Sequence, residues 1–264
     1  MVFVLDVGNS NIKCGLFRDS KLINSWRIAT DLVRTADEYG IQVMSFLKHG
    51  HHSPDDIEGI IIASVIPSIN YTLQHMCSIY FKKTAMFIGP GIKTGINIKY
   101  DNPKELGADR IVSAIAAYTL YGGPCIVVDF GTATTFGVVS ESGDFLGGAI
   151  CPGLKISAEA LTLSAAKLPR VELVRPESAI GTSTITGMQS GIIYGYVGQV
   201  DYIIRKLKKE IGGAPKVIAT GGLARLIAQE TSEISEVNSL LTLIGLDIVY
   251  KKNAKPKTRG DNDK

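Results

Sequence analysis

Residues 127–138 read VVDFGTATTFGV, and the fold turns on how that stretch is read. An apolar strand carries an aspartate near its end, and Gly-Thr-Ala-Thr-Thr follows. A carboxylate on a buried strand is costly unless it is paired or holds a cation. Taken alone, the stretch fits a tight hairpin of turn-forming residues, or a turn where phosphate and metal meet.

The N-terminal stretch LDVGNSNIKCG (5–15) repeats the pattern, placing Asp6-Val7-Gly8 123 residues before Asp129-Phe130-Gly131. A repeat at half the chain length indicates duplicated domains, not a solenoid. Around each copy, β-branched runs alternate with helical patterns, which is α/β architecture. The segment 2–17 reads strand, polar turn, strand, and KLINSWRIAT (21–30) follows as a third strand. Apolar spacing predicts helices over 35–49 and about 68–80, and IEGIIIASV (57–65) suits a strand covered on both faces. TAMFIGP (84–90) reads as one more strand.

PCIVVDFGTATTFGVV (124–139) and GDFLGGAICPG (143–153) then repeat the opening three strands, and an Ala/Ile-rich helix from Ala108 to Tyr121 joins the halves. The expected organisation is an N-terminal lobe over 1–122, a C-terminal lobe over 123–250 and a disordered basic tail over 251–264. Two similar lobes with a cleft between them follow from this division.

In each copy, glycine permits close backbone approach to a ligand, and Asn, Ser and Thr side chains with free backbone N–H groups suit phosphate oxygens. A strand-end aspartate can hold Mg²⁺ directly or through its waters. Two such turns facing across a cleft could grip one triphosphate from both sides. A third glycine element, VIATGGLA (217–224), is a strand followed by Gly221-Gly222 and a helix start. It suits the adenosine end of the same nucleotide.

The 264 residues are 45% hydrophobic and 20% charged, ordinary for a globular protein with a real core. Of 28 basic and 25 acidic residues, six and two lie in the tail 251–264, leaving the body with 22 and 23. A nearly neutral body gives no case for a nucleic-acid partner. The RGD triplet at 259–261 reads as chance. MVFVLDVGNSN lacks the basic n-region of a signal peptide, and no run approaches the roughly 18 apolar residues of a membrane helix. Cys14, Cys77, Cys125 and Cys151 are far apart, without ligand spacing, and read as buried reduced thiols of a cytosolic protein. HGHH (49–52) reads as a solvated loop rather than a metal site.

Together these elements resemble the acetate and sugar kinase, heat-shock chaperone and actin superfamily, whose members have duplicated ribonuclease-H-like lobes with ATP between them. DVGNSNIK (6–13), YDNPKELGADRIVSA (100–114), DFGTATT (129–135) and GTSTITGMQSG (181–191) resemble the type III pantothenate kinase family in particular. The likeness runs from Val4 to about Tyr250, and Ser10 stands where many members have threonine. It implies ATP-dependent phosphorylation of pantothenate, with Mg²⁺, a monovalent cation (K⁺ or NH₄⁺), a homodimer and a cytoplasmic location.

The resemblance also implies roles. Asp109 is the candidate base, and Tyr100, Gly107, Ala108, Arg110 and Thr184 are candidate pantothenate contacts, Arg110 for the carboxylate. Asp6 would orient hydrated Mg²⁺, while Val7, Gly8, Asn9, Ser10, Asn11, Ile12 and Lys13 line the phosphates with Thr132. Asp129 would hold the monovalent cation. The residues alone leave plainer readings open. Asp109 could simply cap a helix, Arg110 form a surface ion pair, Lys13 face outward, Tyr100 be a strand aromatic and Thr184 a loop hydroxyl. Two rival functions also remain at this point: another small-molecule kinase of the superfamily, or a non-catalytic nucleotide-dependent switch.

Overall fold

The computed structural model describes residues 1–254, and the chain divides into two compact units. Unit 1 comprises Met1–Gly95, Gly107–Val112 and the segment from Leu243 on; unit 2 comprises Ile96–Leu106 and Ser113–Thr242. The division differs from a linear split at 122/123, because the last helix packs with the first strands and a short early segment joins the second unit.

Unit 1 opens with an antiparallel meander, β1 (Val2–Val7), β2 (Asn11–Arg18) and β3 (Lys21–Ala29). Helix α1 (Ala36–His49) starts where Thr35 and Glu38 form a reciprocal capping box, and it carries the chain to β4 (Gly59–Ser64), parallel to β1. Helix α2 (Asn70–Phe81) leads to β5, which is only Met86–Phe87. The sheet order is β3-β2-β1-β4-β5. All six residues of β1 are buried, and β4 is buried up to Ser64, as a strand covered on both faces requires. Phe3, Leu5, Ile60 and Ile62 pack with Tyr39, Val43 and Leu47 of α1 and Leu73, Met76 and Phe81 of α2 in one apolar cluster.

Unit 2 repeats that plan. Strands β7 (Cys125–Phe130), β8 (Ala133–Val139) and β9 (Asp144–Pro152) form the meander, and β10 (Lys216–Gly221) runs parallel to β7. Two edge strands complete it: β11 (Glu236–Val237) beside β10 and β6 (Asn97–Ile98) beside β9. Its order is β11-β10-β7-β8-β9-β6, which contains the order of unit 1 with β6 added. The connection from β9 to β10 holds α4 (Leu154–Ser164) and the 28-residue α5 (Thr184–Ile211). Ile126, Val128, Phe130 and Phe136 of the sheet pack against Ile193, Tyr196, Val200 and Ile204 of α5.

Helix α3 (Ala108–Tyr121) has the bounds expected from its composition, and helix α6 (Ala224–Ala228) is a single short segment after β10. The terminal helix α7 spans Leu241–Asn253. The basic run expected to begin a disordered tail at 251 therefore starts inside a helix. Lys251 Nζ lies 2.6 Å from the buried carboxylate of Asp247 one turn earlier, and Lys251 and Lys252 suit the negative helix end. The RGD triplet lies outside the described residues. Among the described residues no helix is long and apolar enough to cross a membrane.

Candidate active site

In unit 1 the site is built where β1, β4 and α3 end or begin. Asp6 is the fifth residue of β1 and is 5% exposed. Register places it opposite Lys13 on β2, with Nζ and Oδ2 3.2 Å apart. The intervening turn closes with the Gly8 N–H donating to Asn11 O at 3.1 Å. It is pinned from the end of β3: Thr30 Oγ1 donates to Gly8 O at 2.6 Å and the Thr30 N–H to Ser10 O at 3.1 Å. Asn9, Ser10 and Asn11 remain exposed, whereas the side chains of Val7 and Ile12 belong to the core. Of the residues expected to line phosphate, those two can contribute backbone only.

Asp109 sits in the first turn of α3. Gly107 O accepts the first helical bonds, from the Arg110 N–H at 3.1 Å and the Ile111 N–H at 3.2 Å. Asp109 Oδ1 also accepts from the Arg110 N–H at 2.8 Å, so the carboxylate shares that helix-start donor with Gly107 O. Burial, followed by the negative charge of Asp6, pushes the Asp109 carboxyl above its ordinary value. The Arg110 N–H and guanidinium oppose that shift without cancelling it. The charge of Asp6, 103 positions earlier in the chain, thus acts on Asp109 within one unit. The β4–α2 loop lies at the same place, since Val65 donates its N–H to Val7 O at 3.1 Å.

Unit 2 places Asp129 as the fifth residue of β7, the position Asp6 holds in β1. Its turn is one residue shorter. Phe130 pairs with Thr134 where Val7 pairs with Ile12, and the Gly131 N–H bonds Ala133 O at 3.2 Å. The two copies therefore align residue for residue only as far as Asp-x-Gly. Thr132 is exposed at the turn, and its carbonyl accepts the Gly153 N–H at 3.1 Å, which ties the turn to the start of α4. Thr134 and Tyr196 of α5 share a hydrogen bond beneath it.

The register sets Thr220 of β10 and Thr135 of β8 on either side of Asp129, on one face of the sheet. Gly221 has φ +95°, and a β-carbon there would lie 2.5 Å from Phe130 O and 2.6 Å from Asp129 Oδ1. Glycine is required twice over, by conformation and by the carboxylate beside it. Gly222 is exposed. Helix α6, which follows, has five residues, too short for its dipole to matter much. Space beside Asp129, rather than a helix end, is what Gly221 provides.

Thr220 was not identified from the sequence. It is fully buried, and its hydroxyl oxygen has no hydrogen-bond partner among the described residues. Leaving such a group unsatisfied costs about 1–3 kcal/mol. Its signal was available only through the duplication, by setting β10 beside β7. Tyr100 packs its ring 6.3 Å from that of Phe145 on β9, tilted by 49°, while Thr184 is the exposed first residue of α5, after the Ser183 cap. The two thus stand on separate elements of unit 2.

No group of three or more His, Cys, Asp or Glu side chains suited to a metal occurs among the described residues. The oxygen donors near Asp6 and Asp129 instead suit hard cations that take few protein ligands. His52 of the HGHH stretch has its ring 2.8 Å from the Asn24 side-chain oxygen. Cys14, Cys77 and Cys125 are buried, as expected, but Cys151 is only partly so.

The sequence model of the family described as type III pantothenate kinase matches residues 2–206. Among solved structures, the chain is 20% identical to a protein described as a Baf family transcriptional activator from Campylobacter jejuni. That match covers 95% of this chain and 98% of that one at TM-score 0.60. A 2-dehydro-3-deoxygalactonokinase protein from Sinorhizobium meliloti matches over the whole of both chains at 10% identity and TM-score 0.58. The ethanolamine utilization protein EutJ from Carboxydothermus hydrogenoformans, 14% identical, matches over 94% of this chain and 89% of its own at TM-score 0.55. At these identities the structures establish a shared duplicated α/β fold, and together with the family match this is the actin-like ATPase architecture.

Proposed function

The chain belongs to the type III pantothenate kinase family, and from that membership we propose which residues carry its reaction. That reaction is the ATP-dependent phosphorylation of pantothenate to 4′-phosphopantothenate. Phosphoryl transfer of this kind needs a positioned triphosphate, neutralised charge and an acceptor for the hydroxyl proton.

Asp109 is the proton acceptor. The observation that carries this role is its carboxylate at the start of α3, fixed by the Arg110 N–H at 2.8 Å and made more basic by burial and by Asp6. A base whose proton affinity lies nearer neutrality takes a hydroxyl proton more readily as the oxygen approaches phosphorus. Capping and catalysis use different lone pairs of one carboxylate, so the two roles are compatible. Arg110 offers a planar fork to the pantothenate carboxylate, and Gly107, Ala108, Tyr100 and Thr184 complete the acceptor contacts.

Exposed Asn9, Ser10 and Asn11, with the backbone from Val7 to Ile12, bind phosphate oxygens in unit 1; Thr132 does so in unit 2. Lys13 neutralises charge there while paired with Asp6. Gly221 and Gly222 admit the adenosine end. The donor sets fit Mg²⁺ at Asp6, through water, and K⁺ or NH₄⁺ at Asp129, where Thr135 and Thr220 flank the carboxylate. When bound, these cations supply positive charge to the triphosphate. Family membership supports a homodimer, and four unpaired cysteines support a reducing, cytoplasmic setting.

The purified protein should form ADP only when pantothenate is present, and faster in K⁺ than in Na⁺. A panel of hydroxylated acceptors makes the assay discriminating. ADP formation that is independent of pantothenate and indifferent to the cation would overturn the proposal.

A further inference from the structure

We propose that Thr220 is a ligand of the monovalent cation held beside Asp129, its hydroxyl completing a site that the duplicated unit fills with a lysine. The inference rests on the assignment of the cation to Asp129.

The two sheets carry the same row in different chemistry. In unit 1 the residues in register across β4, β1 and β2 are Ala63, Asp6 and Lys13. In unit 2 the corresponding residues of β10, β7 and β8 are Thr220, Asp129 and Thr135. Neighbouring strands lie about 4.8 Å apart, so side chains in one row and on one face are immediate neighbours. In the first row the aspartate meets a cation built into the protein, the Lys13 ammonium at 3.2 Å. In the second row a hydroxyl replaces that lysine, and another hydroxyl replaces the methyl of Ala63. The aspartate is kept while the amine beside it becomes an oxygen.

Thr220 carries the argument because packing alone does not account for it. It is fully buried, and its Oγ1 has no hydrogen-bond partner among the described residues, although buried hydroxyls nearly always have one. The preceding interior positions of β10 are Val217, Ile218 and Ala219. A valine at 220 would fill the same volume without stranding an oxygen. Two lone pairs of a buried hydroxyl are, however, suitable for a cation. A neutral oxygen adds a ligand without adding charge, so one carboxylate with hydroxyl partners matches a single positive charge better than a double one. The next residue, Gly221, leaves room beside Asp129 Oδ1 that any side chain would occupy.

Tl⁺ reports K⁺ sites directly and can be titrated by thallium NMR. The full chain is loaded with Mg²⁺ and a non-hydrolysable ATP analogue, and then titrated. T220V should weaken Tl⁺ binding about tenfold or more, while T220S should stay within about threefold of wild type. D129N should abolish Tl⁺ binding. If T220V binds Tl⁺ like wild type while D129N does not, Thr220 is no ligand and the inference fails although Asp129 stands. If D129N also binds unchanged, the Asp129 assignment fails and takes the inference with it. T220A removes the same oxygen and is read in the same way should T220V fail to take up the analogue.

Discussion

A β-carbon at position 107 would lie 2.5 Å from Oδ1 of Asp109, so the absence of a side chain at Gly107 leaves the room that this carboxylate occupies. The contact is between residues two apart at a helix start, and it adds a steric constraint on the same Oδ1 that accepts the Arg110 N–H. Gly107→Ala should therefore displace the carboxylate. Misplacing a reacting group by about 1 Å costs on the order of 100-fold in rate. We expect kcat to fall by that order, with ATP-analogue affinity close to wild type, measured by steady-state kinetics and calorimetry. An unchanged kcat would separate the position of Asp109 from turnover.

Asp109→Asn should keep nucleotide binding and lose about 10²- to 10⁴-fold in kcat, the range expected for removing a general base. It should also change stability with pH in a defined direction. The Asp109 carboxyl is held above its ordinary value in the folded protein, so its ionisation opposes folding. That opposition is absent below the unfolded value of about 3.9 and complete above the folded one. Asparagine retains the hydrogen bond from the Arg110 N–H without the charge. The variant should thus melt at or above the wild-type temperature near neutrality, and the difference should close as the pH falls below about 4. Melting curves across that range test the sign.

Gly221→Ala should be damaging on two counts. Alanine is strained at φ +95°, and its methyl would meet Asp129 Oδ1 and Phe130 O. A loss of about 1–3 kcal/mol in unfolding free energy is expected from the backbone alone. Displacement of Asp129 should in addition blunt the response of activity to K⁺. Denaturant unfolding and a K⁺ titration of the rate measure the two effects separately.

The thiols should divide three to one. Burial pushes Cys14, Cys77 and Cys125 up to about 12, the Asp6 charge adding to the effect at Cys14. The Cys151 thiol is raised as well, but the residue is only partly buried. Since the thiolate is the reactive form, Cys151 should react first with a thiol reagent, and the other three only as the protein unfolds. Peptide mapping after a timed reaction identifies the order.

The duplication was legible because an aspartate on a buried strand is costly, and such a cost rarely occurs twice at matched places without a cause. Helix α3 was legible to the residue from its composition and α1 from its apolar spacing. Helix α5 was not, because Gly187, Gly191, Gly195 and Gly198 weaken the local helical signal, each by about 1 kcal/mol relative to alanine. Its apolar face against the sheet of unit 2 decides the matter instead. Strand β6 has two residues and exists only by pairing with β9, which no local pattern encodes. In the site, Asp6 and Asp129 stand out as strand-end carboxylates, whereas Asp109 is singled out only by the family resemblance. The effect of Asp6 on Asp109 and the stranded hydroxyl of Thr220 depend on distances between segments far apart in sequence, and the crowding at Gly107 on how a side chain folds back at a helix start.

Helix α7 has a consequence for the order in which the molecule can be made. Leu243 reaches the place where a β-carbon on Gly15 would sit, 3.2 Å away, and Gly245 packs closely on Val112. Strands β1 to β3 are thus finished by a helix made long after them. Unit 2, drawn from the middle of the chain, can assemble while unit 1 still waits for its closing segment. A nascent chain halted before Leu243 would hold one completed half and one open one, and the half left open is the one that carries Asp109.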